Sequence, residues 1–167
     1  YGASSGVGIF AMQIAKLKGA RVIAVTSESK MDLVSRFKPD SIISSKHPQC
    51  RADYILDMVG GDLFNYNLNI LNDGGTLILY GMASREQTGP IDPQLLMASN
   101  KTIRGFWLHP YFNNHADYQA NLNCLYGLII EGKISVVDSY SYSLKDAQQA
   151  HRDVLSRKTM GKVHLIP

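Results

Sequence analysis

The chain begins Tyr1-Gly2-Ala3-Ser4-Ser5-Gly6-Val7-Gly8. A glycine turn of this kind normally comes after a buried strand and opens a helix. Its glycines let the backbone turn tightly, approach another group closely and pack helix against strand. The residues beyond Gly8 fit that frame. Ile9 to Lys18 reads as a helix with a broad apolar face, and Gly19 stands where a helix stops. Arg21 to Val25 is a short, nearly all-apolar strand, the kind buried on both faces of a parallel sheet. No strand precedes the turn, so the sequence reads as part of a longer chain.

The alternation continues. Met31 to Phe37 reads as a helix ended by Pro39. Ser41 to Ile43 and Ala52 to Val59 read as strands, the second closing on Gly60-Gly61. Leu63 to Leu71 is a helix, Asn72-Asp73-Gly74-Gly75 a turn, and Thr76 to Tyr80 a strand stopped at Gly81. A short helix is expected over Pro93 to Ala98 and a strand over Thr102 to Leu108. Tyr118 to Glu131 reads as an amphipathic helix stopped at Gly132. Beyond it come an extended stretch, Ser135 to Tyr142, a helix, Leu144 to Ser156, and a last strand, Lys162 to Ile166. Alternating strand and helix argues an α/β fold, a parallel sheet with helices on both faces.

Composition excludes several classes. The net charge of +3 is small and the cations are scattered, so there is no nucleic-acid footprint. The two cysteines, Cys50 and Cys124, lie far apart. No CxxC and no close His/Cys cluster has zinc-ligand spacing, so the expectation is no metal in this chain and a reducing, cytoplasmic compartment. No apolar run approaches the ~20 residues of a membrane span. His109, before Pro110, reads as a loop histidine rather than a lining of a substrate cleft, and His47, His115, His151 and His164 share no evident site.

The turn has a chemical use. A helix that opens at Ser5-Gly6 aims free N–H groups and its positive dipole end at the turn, and the hydroxyls of Ser4 and Ser5 add donors. That is a pyrophosphate site, and the apolar strand ending about 20 residues on completes a dinucleotide-binding unit. The end of that strand selects the dinucleotide. An acid there would hold a ribose 2′-hydroxyl, but the sequence has Thr26-Ser27-Glu28-Ser29-Lys30. Hydroxyls and a cation suit a 2′-phosphate, so NADPH is expected over NADH. A methyltransferase is disfavoured by the same missing acid.

"GASSGVG" alone resembles the short-chain dehydrogenases. Those enzymes need Tyr-x-x-x-Lys, in which the lysine lowers the tyrosine pKa. None of the nine tyrosines has a lysine four residues on: Tyr54 meets Met58, Tyr80 Ser84, Tyr140 Leu144 and Tyr142 Asp146. The longer pattern resembles the medium-chain dehydrogenase/reductase superfamily, and within it the zinc-independent quinone oxidoreductases and enoyl reductases. "GASSGVGIFAMQIAKLKGARVIAVTSESK", "ADYILDMVGGDLFNYNLNILNDGGTLILYGMAS", "KTIRGFWLHP" and "MGKVHLIP" carry the resemblance.

The resemblance implies a Rossmann-type doubly wound parallel sheet truncated at its first strand, with an open slot in the sheet. Residues 1–131 would be the nucleotide-binding domain, and residues 132–167 would return to an absent N-terminal catalytic domain. It implies that Ser4, Ser5, Gly6 and Val7 line the pyrophosphate and that Thr26, Ser27 and Lys30 meet the 2′-phosphate. Tyr80, Gly81 and Met82 would end a strand beside the nicotinamide. Phe106, Trp107 and Leu108 would meet its carboxamide, and Lys162 would lie near the cofactor. Many relatives carry Asn-Tyr after the third strand, where this chain has Ser44-Ser45 and then Lys46. Asp57 is expected to anchor a turn, and Met82 and Met97 to fill gaps.

The implied reaction is hydride transfer from NADPH to a quinone or an α,β-unsaturated carbonyl, by a homodimer paired through the Thr102–Leu108 sheet edge. No residue here is assigned as the catalytic acid. The rival reading is an NADPH-binding structural or regulatory module, because fold alone does not settle function.

Overall fold

The first helix begins earlier than its apolar pattern implied. In the computed structural model, which describes residues 1–44, 47–137, 140–156, 158–159 and 161–167, α1 runs Gly6–Leu17. Ser5 sets the start: its backbone is extended and its side chain accepts from the Gly8 N–H, as an N-cap does.

Two compact units emerge. The glycine-turn unit comprises residues 2–43 and 124–167, and the three-strand unit residue 1 and residues 44–123.

In the glycine-turn unit, α1 leads to β1 (Ile23–Val25), a 3-10 turn (Glu28–Lys30), α2 (Met31–Ser35) and β2 (Ser41–Ile43). β1 and β2 pair in parallel, with Ala24 opposite Ile42. Ala3, Ile9, Met12, Val22, Ala24, Leu33 and Val34 form its buried core, with Phe37, Ile42 and Val137 packed against it. Burying each larger aliphatic side chain contributes ~1.5–3 kcal/mol. β1 is two residues shorter than expected at its start. The Val22 N–H there donates to the Asp40 carboxylate at 2.6 Å instead of to a ladder. Later in the chain this unit adds β6 (Tyr140–Ser143), a 3-10 turn (Leu144–Asp146), α7 (Ala147–Leu155) and β7 (Val163–Ile166). β6 and β7 are again parallel. The extended stretch expected from Ser135 is a strand only from Tyr140, and Asp138 and Ser139 lie outside the described residues.

The three-strand unit contains β3 (Ala52–Asp57), α3 (Asp62–Ile70), β4 (Leu71–Leu79), α4 (Pro93–Ala98), β5 (Thr102–Gly105) and α5 (Leu108–Tyr111). Its sheet has the order β3-β4-β5, with both pairs parallel. Ile55, Phe64, Leu68, Leu71 and Leu77 make its core. α6 (His115–Ile130) begins in this unit and ends in the other.

Three expectations need correction. The turn at Asn72–Gly75 lies inside β4 as a register shift: Leu71 faces Ala52, and Thr76 already faces Tyr54. The turn chemistry still operates there, since Gly74 has φ +72°. A Cβ on Gly75 would stand 2.7 Å from Leu71 Cγ and 2.9 Å from the Asp53 carbonyl. The strand expected to reach Leu108 stops at Gly105. Trp107 turns the chain into α5, whose first turn accepts Pro110 because the N–H that proline lacks has no helical partner there. Finally, α6 starts three residues earlier than expected, at His115, and although none of its residues is fully buried, Tyr118, Leu122, Leu125 and Ile129 are half-buried at helical spacing, while Ile130 at its end is 85% exposed.

Every strand pair is parallel, as the α/β reading required. Among the described residues no strand pairs with the second edge of β1 or of β3.

Candidate functional site

The sequence-predicted residues fall into two sets, one in each unit. The first set surrounds the glycine turn. The Ser5 N–H donates to the Gly2 carbonyl at 2.9 Å, and the Ala3 N–H to the Val25 carbonyl at 3.1 Å. Gly8 is packed against the backbone. A Cβ there would stand 2.2 Å from the Gly2 carbonyl oxygen, closer than atoms can approach. Gly6 differs, because its nearest neighbours are side-chain atoms, Lys162 Cε at 3.2 Å and Cδ at 3.5 Å.

These neighbours leave a donor-lined mouth at the start of α1. Among the described residues the Val7 N–H has no backbone partner, the Gly6 N–H faces the Gly161 carbonyl across the parallel Ser5–Gly161 bridge, and the first turn of the 12-residue helix holds no acidic side chain. Val7 is 56% exposed. An open N–H donor on Val7, the positive end of the helix dipole and a lysine side chain over the turn fit a phosphate group.

The end of β1 supports the turn. Thr26 is buried, and its Oγ1 donates to Ser4 Oγ at 3.0 Å. Ser4 is buried as well, so these two hydroxyls tie strand to turn. Ser27 is exposed, with its Oγ 3.4 Å from Ser29 Oγ. Lys30 is half-buried, and its Nζ donates to the Thr159 carbonyl at 2.8 Å. No acid occupies the position of Thr26, and Glu28 is exposed. Ser45 and Lys46 lie outside the described residues.

The second set sits at the ends of β4 and β5 in the three-strand unit. The Tyr80 N–H donates to the Asp57 carbonyl at 2.9 Å. Ala83 and Ser84 N–H groups donate to the carbonyls of Met58 and Val59, each at 2.9 Å. Gly81 is required here, since a Cβ would stand 2.8 Å from the Met58 carbonyl oxygen. Burial raises the Tyr80 phenol pKa, and the Asp57 charge adds to the effect, so the hydroxyl keeps its proton at neutral pH.

Asp57 is the anchor its strand-end position implied. It is fully buried. Its Oδ1 accepts from the Val59 N–H at 2.7 Å and the Gly60 N–H at 3.1 Å, and its Oδ2 from Asn67 Nδ2 at 3.0 Å. Met82, at 55% exposure, and Met97, at 72%, are not the buried fillers expected of them. Phe106, Trp107 and Leu108 are also exposed, at 43%, 70% and 50%. The Phe106 N–H donates to the Leu79 carbonyl at 2.9 Å and holds the segment to the end of β4.

Sequence reasoning missed two contributors. Asn67 lies within a helix, and nothing in its neighbours marks it as Asp57's partner. Thr159 is remote in sequence from Lys30, and only the folded chain joins them. Among the described residues no group of three or more His, Cys, Asp or Glu is placed to hold a metal ion. No helix among them is long and apolar enough to cross a membrane.

Comparison with known proteins bears on this geometry. Residues 6–126 match the family described as zinc-binding dehydrogenase. Quinone oxidoreductase 1 of Escherichia coli (strain K12) is 29% identical over 187 residues, covering 100% of this chain and 55% of that protein. The mitochondrial enoyl-acyl-carrier-protein reductase of Dictyostelium discoideum is 30% identical over 173 residues, covering 89% of this chain and 49% of that protein. Among solved structures, Escherichia coli quinone oxidoreductase complexed with NADPH superposes with a TM-score of 0.84 at 26% identity, over 99% of this chain and 55% of that one. The chain thus spans about half the length of the curated relatives it matches. On the family match, the parallel strands and the glycine turn, the chain belongs to the zinc-binding dehydrogenase family of the medium-chain dehydrogenase/reductase superfamily and is quinone-oxidoreductase-like.

Proposed function

We propose that the chain is the cofactor-binding portion of an NADPH-dependent oxidoreductase that reduces a quinone or an α,β-unsaturated carbonyl. The carrying observation is the mouth of α1, where the Val7 N–H is open and Lys162 lies over Gly6. Likeness to a quinone oxidoreductase crystallised with NADPH supports the same reading.

In this reading Ser4, Ser5, Gly6 and Val7 line the pyrophosphate, which the Val7 N–H and the helix dipole face. Thr26 holds Ser4 in place, while Ser27 and Lys30 receive the 2′-phosphate. Lys162 adds positive charge over the turn. Tyr80, Gly81 and Met82 orient the nicotinamide, and the backbone of Phe106, Trp107 and Leu108 meets its carboxamide. The bound cofactor supplies hydride chemistry, and the protein supplies orientation and electrostatics. The proton donor is expected in the part of the protein outside residues 1–167, and the reduction needs no zinc. Residues 1–131 form the nucleotide-binding domain and residues 132–167 return toward that other part. A cytoplasmic homodimer pairing through the outer edge of β5 completes the proposal. β5 pairs only with β4 among the described strands, and its residues are mostly exposed.

Calorimetric titration of the full-length protein with NADPH and NADH tests the reading. NADPH should bind at least ~10-fold more tightly, a gap of about 1.4 kcal/mol. Equal affinities would remove the 2′-phosphate site. Tight NADPH binding without turnover of any quinone or enone would favour the structural or regulatory module instead.

A further inference from the structure

Thr159, Gly161 and Lys162 are far from the glycine turn in sequence, yet three contacts bring this strap to it. Lys30 Nζ donates to the Thr159 carbonyl at 2.8 Å. The Gly161 N–H donates to the Ser4 carbonyl at 3.4 Å, and Gly161 pairs with Ser5 in a parallel bridge. The stem of Lys162 then lies over Gly6. Gly161 has φ +63°, a left-handed conformation that suits glycine. The strap therefore touches both phosphate-binding corners, Lys30 at one end and the mouth of α1 at the other.

We infer that Lys30 is a positioning residue for this strap as well as a phosphate ligand, so that recognition of the 2′-phosphate is coupled to the seating of Lys162 over the glycine turn. The inference rests on the 2′-phosphate reading proposed above. An ammonium group carries three N–H donors and binds a carbonyl and an anion together. Holding the long lysine stem in advance also removes rotamer freedom that ligand binding would otherwise have to restrict. The phosphate and the Thr159 carbonyl draw on the same ammonium, and Lys162 follows Thr159 by three residues. NADH lacks that phosphate and leaves the link as it stands.

Two measurements on the full-length protein test the coupling. The first is amide hydrogen exchange without cofactor. Lys30→Met should speed exchange in the strap and in β7 by about tenfold or more. Lys30→Arg should stay near the wild-type rate, since a guanidinium also donates to a carbonyl and a phosphate. The second is affinity. Lys30→Met should weaken NADPH more than tenfold and NADH by a smaller factor, because both cofactors lose the seated Lys162. Unchanged exchange in Lys30→Met would overturn the coupling, and a selective loss of NADPH would then leave the 2′-phosphate reading intact. Faster exchange with equal loss of both cofactors would overturn the coupling by removing the phosphate from Lys30.

Discussion

Gly6 and Gly8 lie two residues apart in one turn and have different reasons to be glycine. At Gly8 a side chain would collide with the Gly2 and Ala3 backbone, its Cβ only 2.2 Å from the Gly2 carbonyl oxygen. Backbone cannot step aside cheaply, so Gly8→Ala should lower the unfolding temperature by several degrees. At Gly6 the nearest atoms belong to the end of the Lys162 side chain, which moves by a few tenths of an ångström at little cost. Gly6→Ala should therefore melt within ~2 °C of the wild type yet bind NADPH at least about tenfold more weakly, because the methyl group narrows the close approach to the turn and its Val7 donor. Thermal melts and titrations on the two variants separate these roles. Unaltered affinity in a folded Gly6→Ala protein would remove the pyrophosphate from this turn. The glycine pattern was legible in the sequence, but which glycine serves packing and which leaves room for a ligand was not, because only distances to neighbouring chain segments distinguish them.

At the scale of elements, two side chains bind neighbouring segments together. Asn67 on α3 donates to the buried Asp57 at the end of β3. Asn67→Ala would strip Asp57 Oδ2 of its partner in a dry site, at a cost of about 1–3 kcal/mol. Urea denaturation should register that loss as a lower midpoint at unchanged slope. Asp40, just before β2, receives the Lys16 ammonium of α1 at 2.9 Å and the Val22 N–H at 2.6 Å. The Lys16 hydrogen bond, then the Val22 N–H, lower its pKa below the ordinary aspartate value. The folded state thus holds the Asp40 proton less tightly than the unfolded state does. The stabilisation is present above the ordinary aspartate value of about 4 and is lost as pH falls through the lower folded value. Asp153, whose pKa is lowered by hydrogen bonds from Gln149 and Tyr142, acts in the same direction. Asp40→Asn should accordingly make the acid limb of a stability-versus-pH curve shallower without abolishing it. An unchanged limb would mean the Lys16–Asp40 pair is absent in solution. Element types were largely readable, since apolar runs, caps and prolines act locally. The bulge inside β4 and the early end of β5 were not, because ladder register depends on the partner strand.

At the scale of the whole molecule, the chain carries two separate buried cores, one beneath the glycine turn and one within the three-strand sheet. Each of β1 and β3 has an edge that no described strand covers. Isolated residues 1–167 should therefore open non-cooperatively, with β1 amides exchanging at a different opening free energy from those of β3 and β4. A single shared opening energy for both sets would show one cooperative unit. The same isolated chain should reduce neither quinones nor enones, and turnover by it would contradict an outside proton donor. By itself the sequence determined the α/β class, the parallel pairing and the pattern of the glycine turn. These arise from short-range periodicity, turn residues and the charge at the end of one strand. Only the tertiary structure decided that Thr26 supports Ser4, that Lys30 reaches Thr159 and that Lys162 covers Gly6. Those contacts join segments more than twenty residues apart, and a pattern read along the chain carries no distance across it.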